Sequence, residues 1–226
     1  MNRLEKSKEP IHICKSCFNE IEDYSRHSLF QNQVICKRCF KEFNPIFKCF
    51  KVDGIEALSV YDYDETIKKY IYVFKGCYDV ELKHIFLSNF KKELKMIYRN
   101  YVLVPLPSSK SHDERRGFNH VVEIFNILGL PFVKCLIKKC DHKQSDSNYY
   151  ERKNVINVLE IVDGERLKNK NVLIVDDICT TGSSLRAAIK LIKPFHPKRV
   201  KILVVAKRNF TKEEIKNIGN TIEVLE

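Results

Sequence analysis

Residues 172–184 read Val-Leu-Ile-Val-Asp-Asp-Ile-Cys-Thr-Thr-Gly-Ser-Ser, and this stretch decides the fold. An apolar run too short for a helix ends in two carboxylates, passes through a hydroxyl- and glycine-rich loop, and enters residues 185–192 at helical spacing. That is a strand, a loop and a helix start. N–H groups at a helix start lack intrahelical partners and lie at the positive end of the helix dipole, so residues 181–184 suit a phosphate monoester. Gly182 permits close approach or a positive φ, and Thr180, Thr181, Ser183 and Ser184 add hydroxyl donors. Asp176 and Asp177, acceptors only when ionised, suit ribose hydroxyls or a hydrated magnesium ion. A nucleotide-triphosphatase loop would need G-x-x-x-x-G-K-[ST], and a dinucleotide fold would need G-x-G-x-x-G; neither motif occurs. An ordinary helix capped by Ser183 or Ser184 would require neither the paired acids nor Thr-Thr-Gly.

Outward from this junction, strands alternate with helices. A strand or hairpin arm is expected at 55–63 and strands at 101–104, 132–137, 170–175 and 199–205, with an edge strand at 221–225. Helices are expected at 65–74, 80–98, 119–128 and 183–193. The second of these is amphipathic through Leu82, Ile85, Phe86, Phe90, Leu94 and Ile97. Such alternation implies parallel βαβ units with ligands at the carboxyl ends of the strands. The polar stretches 108–114 and 140–154 read as long functional loops.

At the other end, Cys14-Lys15-Ser16-Cys17 and Cys36-Lys37-Arg38-Cys39 form a C-x-x-C…C-x-x-C pattern with the spacing of a four-thiolate zinc site. Four sulfurs leave no coordination position for water or substrate, so the zinc is expected to be structural. Residues 1–10 are polar and charged, which argues against export and disulfide formation. The other cysteines read as reduced thiols. Cys179 lies in the phosphate loop, where the dipole could lower its pKa, although packing of a small side chain also accounts for it. A break near 44–54, at Pro45 and Gly54, divides a zinc module (1–48) from an α/β domain (49–226).

The chain has 226 residues, 44% hydrophobic and 31% charged, which is enough for one sizeable core beside a small module. No apolar stretch approaches the ~20 residues that span a bilayer, and a cytoplasmic location is expected. The net charge is +11, and residues 161–226 hold 13 Lys and Arg against 8 acids. That excess fits polyanionic ligands, but a lysine-rich solvated surface produces the same excess.

Residues 172–184 resemble the phosphoribosyl pyrophosphate (PRPP) loop of type I phosphoribosyltransferases. Val104-Pro105-Leu106-Pro107, then Arg115-Arg116-Gly117-Phe118-Asn119, and Lys75-Gly76 after an apolar run are similar to segments of the ComF family, competence-associated homologues of those enzymes. Gln144, Glu151, Arg152 and Asn154 echo a further segment. Taken alone, the prolines could simply end a strand, the arginines could be solvated, and Lys75-Gly76 could be a helix C-terminus. The resemblance implies a parallel sheet flanked by helices, with Asp176 and Asp177 on the ribose and residues 180–184 on the 5-phosphate. It places Lys75, Gly76, Arg115 and Arg116 on the pyrophosphate side, with magnesium accompanying PRPP. In an active enzyme the two acids would also stabilise charge on the ribose ring as pyrophosphate leaves. The resemblance further implies a part in natural transformation, handling incoming single-stranded DNA beside a DNA-translocating ATPase. An active phosphoribosyltransferase with an unidentified acceptor is the alternative.

Overall fold

The structure, a computed structural model, describes residues 12–21, 34–77, 79–108, 110–138 and 159–209. Its centre is a five-stranded sheet in the order β1 (Lys48–Val52), β2 (Ile55–Asp62), β7 (Arg199–Lys207), β6 (Asn171–Cys179), β3 (Tyr101–Pro105). All neighbours pair in parallel except β1, which is antiparallel to β2. The apolar run of β6 is continuous because both faces of the sheet are covered. Leu173 and Val175, with Leu203 and Val205 of β7, pack on one face beneath α2 (Glu65–Gly76), α3 (Lys83–Leu87), α4 (Lys91–Tyr98) and α6 (His120–Asn126). Val172 and Ile174, with Ile202 and Val204, pack on the other face with Leu185, Ala188, Ile189 and Ile192 of α7 (Ser183–Ile192). A small antiparallel pair, β4 (Leu136–Lys138) and β5 (Leu159–Ile161), lies apart from the main sheet.

Three expectations change, while the arm expected at 55–63 has its partner strand directly before it: Asp53-Gly54, both at positive φ, form a two-residue turn that pairs Val52 with Ile55. The single helix expected over 80–98 is broken into α3 and α4 with 3-10 turns at Val80–Leu82 and Ser88–Phe90, and Leu87 and Phe90 take φ near −120°. Ser88 and Asn89 compete for backbone hydrogen bonds and favour such a break; Ile97, expected on the apolar face, is exposed. The polar stretch 108–114 contributes to a helix, α5 (Lys110–Arg116). Of 132–137, only β4 and an isolated bridge from Phe132 to Leu103 are extended pairings. The strand expected at 221–225, the loop at 140–154, and Gln144, Glu151, Arg152 and Asn154 lie outside the described residues.

The cysteine segment is welded to the α/β layer. Cys14, Ile35, Cys39 and Phe43, the last two from α1 (Lys37–Phe43), share one buried cluster with Ile67, Ile71 and Phe74 of α2. Phe43 stacks on Tyr70 at 4.9 Å, Ser16 Oγ lies 2.5 Å from the Tyr70 hydroxyl, and Lys15 Nζ reaches Glu81 at 2.8 Å. Burial is therefore continuous across the expected boundary at residue 48.

Candidate ligand cavity and cysteine cluster

The cavity exists because two neighbouring strands end at different heights. β3 stops at Pro105, opposite Val175, and Pro107 follows two residues later. Proline offers no N–H to continue a ladder. β6 runs on to Cys179, paired only with β7 beyond Val175. The acids expected at the strand's end therefore lie within it, on the side β3 has vacated. A cavity of about 470 Å³ opens there, and Lys75, Arg116, His120, Asp176, Asp177 and Ser184 are among its lining residues.

The two acids have different surroundings. Asp177 is 5% exposed; its Oδ2 pairs with Lys75 Nζ, and its Oδ1 lies 3.6 Å from His120 Nε2. Burial pushes its pKa up, but His120 and the Lys75 charge outweigh burial and hold the carboxyl well below the usual carboxylate range. Asp176 is half-buried, and its Oδ1 accepts from the Asp177 N–H at 2.9 Å. Burial first, then the neighbouring Asp177 charge, drive its pKa well above the ordinary value. A carboxyl raised by burial and a like charge gains most from a cation or a hydroxyl donor in front of it, so Asp176 fits a magnesium ion or a sugar hydroxyl.

A polar frame fixes the cations. Arg116 donates through Nε to the Lys75 carbonyl at 3.0 Å and through NH1 to His120 Nδ1 at 2.9 Å, with Asp113 Oδ1 3.7 Å from NH1. Because Nδ1 accepts, the proton of a neutral His120 sits on Nε2, facing Asp177. Asn119 caps α6 by accepting from the Val122 N–H at 2.9 Å and donates to Asp113 Oδ2 and Ser108 Oγ at 2.8 and 3.0 Å. That cap sets His120 on the first turn of α6, pointing at the cavity.

The loop after β6 behaves as a helix start open to a ligand. Gly182, at φ +76°, is the N-cap of α7, and no side chain caps it, so neither Ser183 nor Ser184 plays that part. Thr180, Thr181, Ser183 and Ser184 are exposed, and of residues 180–184 only Ser184 is among the residues lining the cavity. Cys179 is buried and its thiol is raised, foremost by burial, which corrects the lowered value considered above. Gly76 and Arg115 line a neighbouring groove together with Lys75 and Arg116.

Among the expected residues, Lys75, Arg116, Asp176, Asp177 and Ser184 thus converge on one cavity. His120 and Ser108 line it as well, and Asp113 and Asn119 brace Ser108 and Arg116 from behind. His120 directly follows the quoted Arg115–Asn119 motif, and an Asn that caps a helix was the available signal.

At the cysteine cluster, the Sγ atoms of Cys14, Cys17, Cys36 and Cys39 all lie within 4.8 Å of one another, and Cys17 Sγ is 3.8 Å from Cys36 Sγ. Tetrahedral Zn–S bonds of about 2.3 Å place sulfurs about 3.8 Å apart, so the set fits a structural zinc ion. The Cys36 N–H points at Cys14 Sγ at 3.2 Å, the contact a thiolate ligand accepts.

Residues 114–223 match the Phosphoribosyl transferase domain family. The chain is 31% identical over 136 residues to Competence protein ComFC of Bacillus subtilis, covering 59% of this chain and 56% of that protein. It is 29% identical over 153 residues to Competence protein ComFC of Streptococcus pneumoniae, covering 68% of this chain and 69% of that one. The match therefore spans little more than half the length of the Bacillus subtilis relative. A solved purine phosphoribosyltransferase from Pyrococcus horikoshii is 22% identical, with a TM-score of 0.33 over 54% of this chain and 71% of that one. With its mostly parallel sheet flanked by helices, its four-cysteine cluster and its match to the Phosphoribosyl transferase domain over residues 114–223, the chain has a type I phosphoribosyltransferase-like fold and is similar to the ComFC competence proteins.

Proposed function

We propose that this protein binds PRPP with magnesium in the 470 Å³ cavity and acts in natural transformation, in the cytoplasm, handling incoming single-stranded DNA beside a DNA-translocating ATPase. One observation carries the ligand reading. A half-buried acid, Asp176, and an uncapped helix start meet, across one cavity, a cluster of Lys75, Arg116 and His120. In this reading Asp176 receives ribose hydroxyls or the magnesium ion, and residues 180–184 receive the 5-phosphate. Lys75, Arg115 and Arg116 face the diphosphate, with Gly76 on the same side. Asp177 acts chiefly as the counter-ion that holds Lys75 and His120 in place. When present, magnesium would neutralise diphosphate charge. The process assignment is supported by the competence proteins to which the chain is similar. The zinc ion is structural in this reading.

The test is calorimetric titration of PRPP with magnesium into wild-type protein and Asp176→Asn. Binding to the wild type that the variant loses is expected; no binding to either would overturn the ligand reading. Pyrophosphate release that depends on an added acceptor would establish the alternative, an active phosphoribosyltransferase.

A further inference from the structure

Beside the ligand cavity lies a second depression, of about 610 Å³, and Lys75 and Arg116 line both. Its rim comes from α2, on the side away from the core: Ile67, Ile71 and Phe74 point inward, while Tyr72 is 75% exposed. Lys68 and Lys69 stand on the same helix, and Arg115 approaches from the end of α5. Glu65 is the one acid among the described lining residues, and it pairs with Lys68 at 3.2 Å. Lys69 and Arg115 make no salt bridge among the described residues. Half-buried Ile178, with an edge of the otherwise core-facing Ile71, gives the groove an apolar floor.

The geometry points to this groove as the seat of a single-stranded nucleic acid segment, its end directed toward the PRPP cavity. An exposed ring on an apolar floor offers a stacking surface for an unpaired base, and flanking cations follow the phosphates. A duplex keeps its bases stacked on one another and could use only the cations; an acidic peptide would leave the ring without a flat partner. The common wall at Lys75 and Arg116, on the diphosphate side of PRPP, brings a strand end next to that ligand, so its role there, though not its binding, rests on the PRPP reading. The groove is neither at the cysteine knuckles nor on the basic segment after residue 161.

The test uses full-length, zinc-loaded protein and fluorescein-labelled oligo-dT of about 12 nucleotides, titrated at several salt concentrations. Tyr72→Ala should weaken binding about tenfold. Lys68→Ala with Lys69→Ala should flatten the plot of log affinity against log salt by about 1.4, or about 0.7 for each phosphate of a single strand that is no longer neutralised. Both variants should keep the wild-type melting midpoint and bind PRPP normally, since none of these residues lines its cavity. Oligo-dT binding that is absent, or indifferent to both variants, would overturn the proposal. So would equal competition by duplex or oligoglutamate that Tyr72→Ala leaves unchanged. If PRPP fails to bind while Tyr72→Ala still weakens oligo-dT, the PRPP reading falls and the groove stands.

Discussion

Lys75, in the last turn of α2, and Asp177, near the end of β6, form an ion pair, buried on the Asp177 side, that joins the outer helix layer to the central strand. His120 and Arg116 extend it into a network whose members come from four separate elements. The pair carries much of the cavity's shape: it fixes the end of α2, which also carries the rim of the neighbouring groove.

Removing the cation should cost more than removing the acid. Lys75→Met leaves Asp177 nearly buried with only His120 nearby, and urea unfolding at neutral pH should show a loss of about 3 kcal/mol. Asp177→Asn should cost less, because the Lys75 side chain is 30% exposed and can turn to water. The Asp177 pKa is held below its unfolded value of about 3.9, so the stability it adds is present above that pH and lost as pH falls through the folded value. The gap between wild type and Lys75→Met should therefore narrow below about pH 4.

Asp176 should behave in the opposite sense. Its folded pKa is raised, so the folded state holds a proton that the unfolded state releases, and stability falls as pH rises from the unfolded value of about 3.9 toward the folded one. Asp176→Asn removes that cost and should raise the melting midpoint at pH 7 while abolishing PRPP binding. A variant that loses both stability and binding would make Asp176 a structural group.

Purified protein should contain about one zinc ion per chain. Because Cys14, Cys39 and Phe43 share a buried cluster with α2, chelation should lower the melting midpoint of the whole chain rather than release a separate module. Two well-separated transitions, with the upper one unaffected by chelator, would contradict that coupling.

Two glycines should fail for different reasons. A Cβ on Gly182 would meet nothing nearer than 3.5 Å, but its φ of +76° would strain any L residue by about 1–2 kcal/mol. Gly182→Asn should be better tolerated than Gly182→Ala. At Gly164, an added Cβ would collide with the Phe195 ring. Gly164→Ala should cost about 1–3 kcal/mol through overpacking, and Phe195→Leu should partly relieve it. Thermal melts of the four variants would separate strain from collision.

Much of this molecule was legible in local pattern. The strand, loop and helix of residues 172–184 were readable because apolar run, acids, glycine and helical spacing are all short-range signals. The cysteine spacing was equally local, since two C-x-x-C turns present four sulfurs by themselves. The β1–β2 hairpin has a local signal too, Asp53-Gly54, although the same Gly54 with Pro45 also reads as a break between modules. The break at Ser88–Phe90 was hidden because an amphipathic pattern continues across it.

Sequence alone determined that two adjacent acids would follow an apolar strand run and precede a hydroxyl- and glycine-rich turn into a helix, because strand and turn propensities act over a few residues. Tertiary structure decided which acid meets solvent and which is neutralised. Successive strand residues point to opposite faces, so the helices on each face, brought in by chain far away in sequence, set the surroundings. Lys75 and His120 reach Asp177 only because α2 and α6 cover the same face of β6. The cavity itself depends on β3 ending where β6 continues, a relation between two strands that neither segment encodes alone.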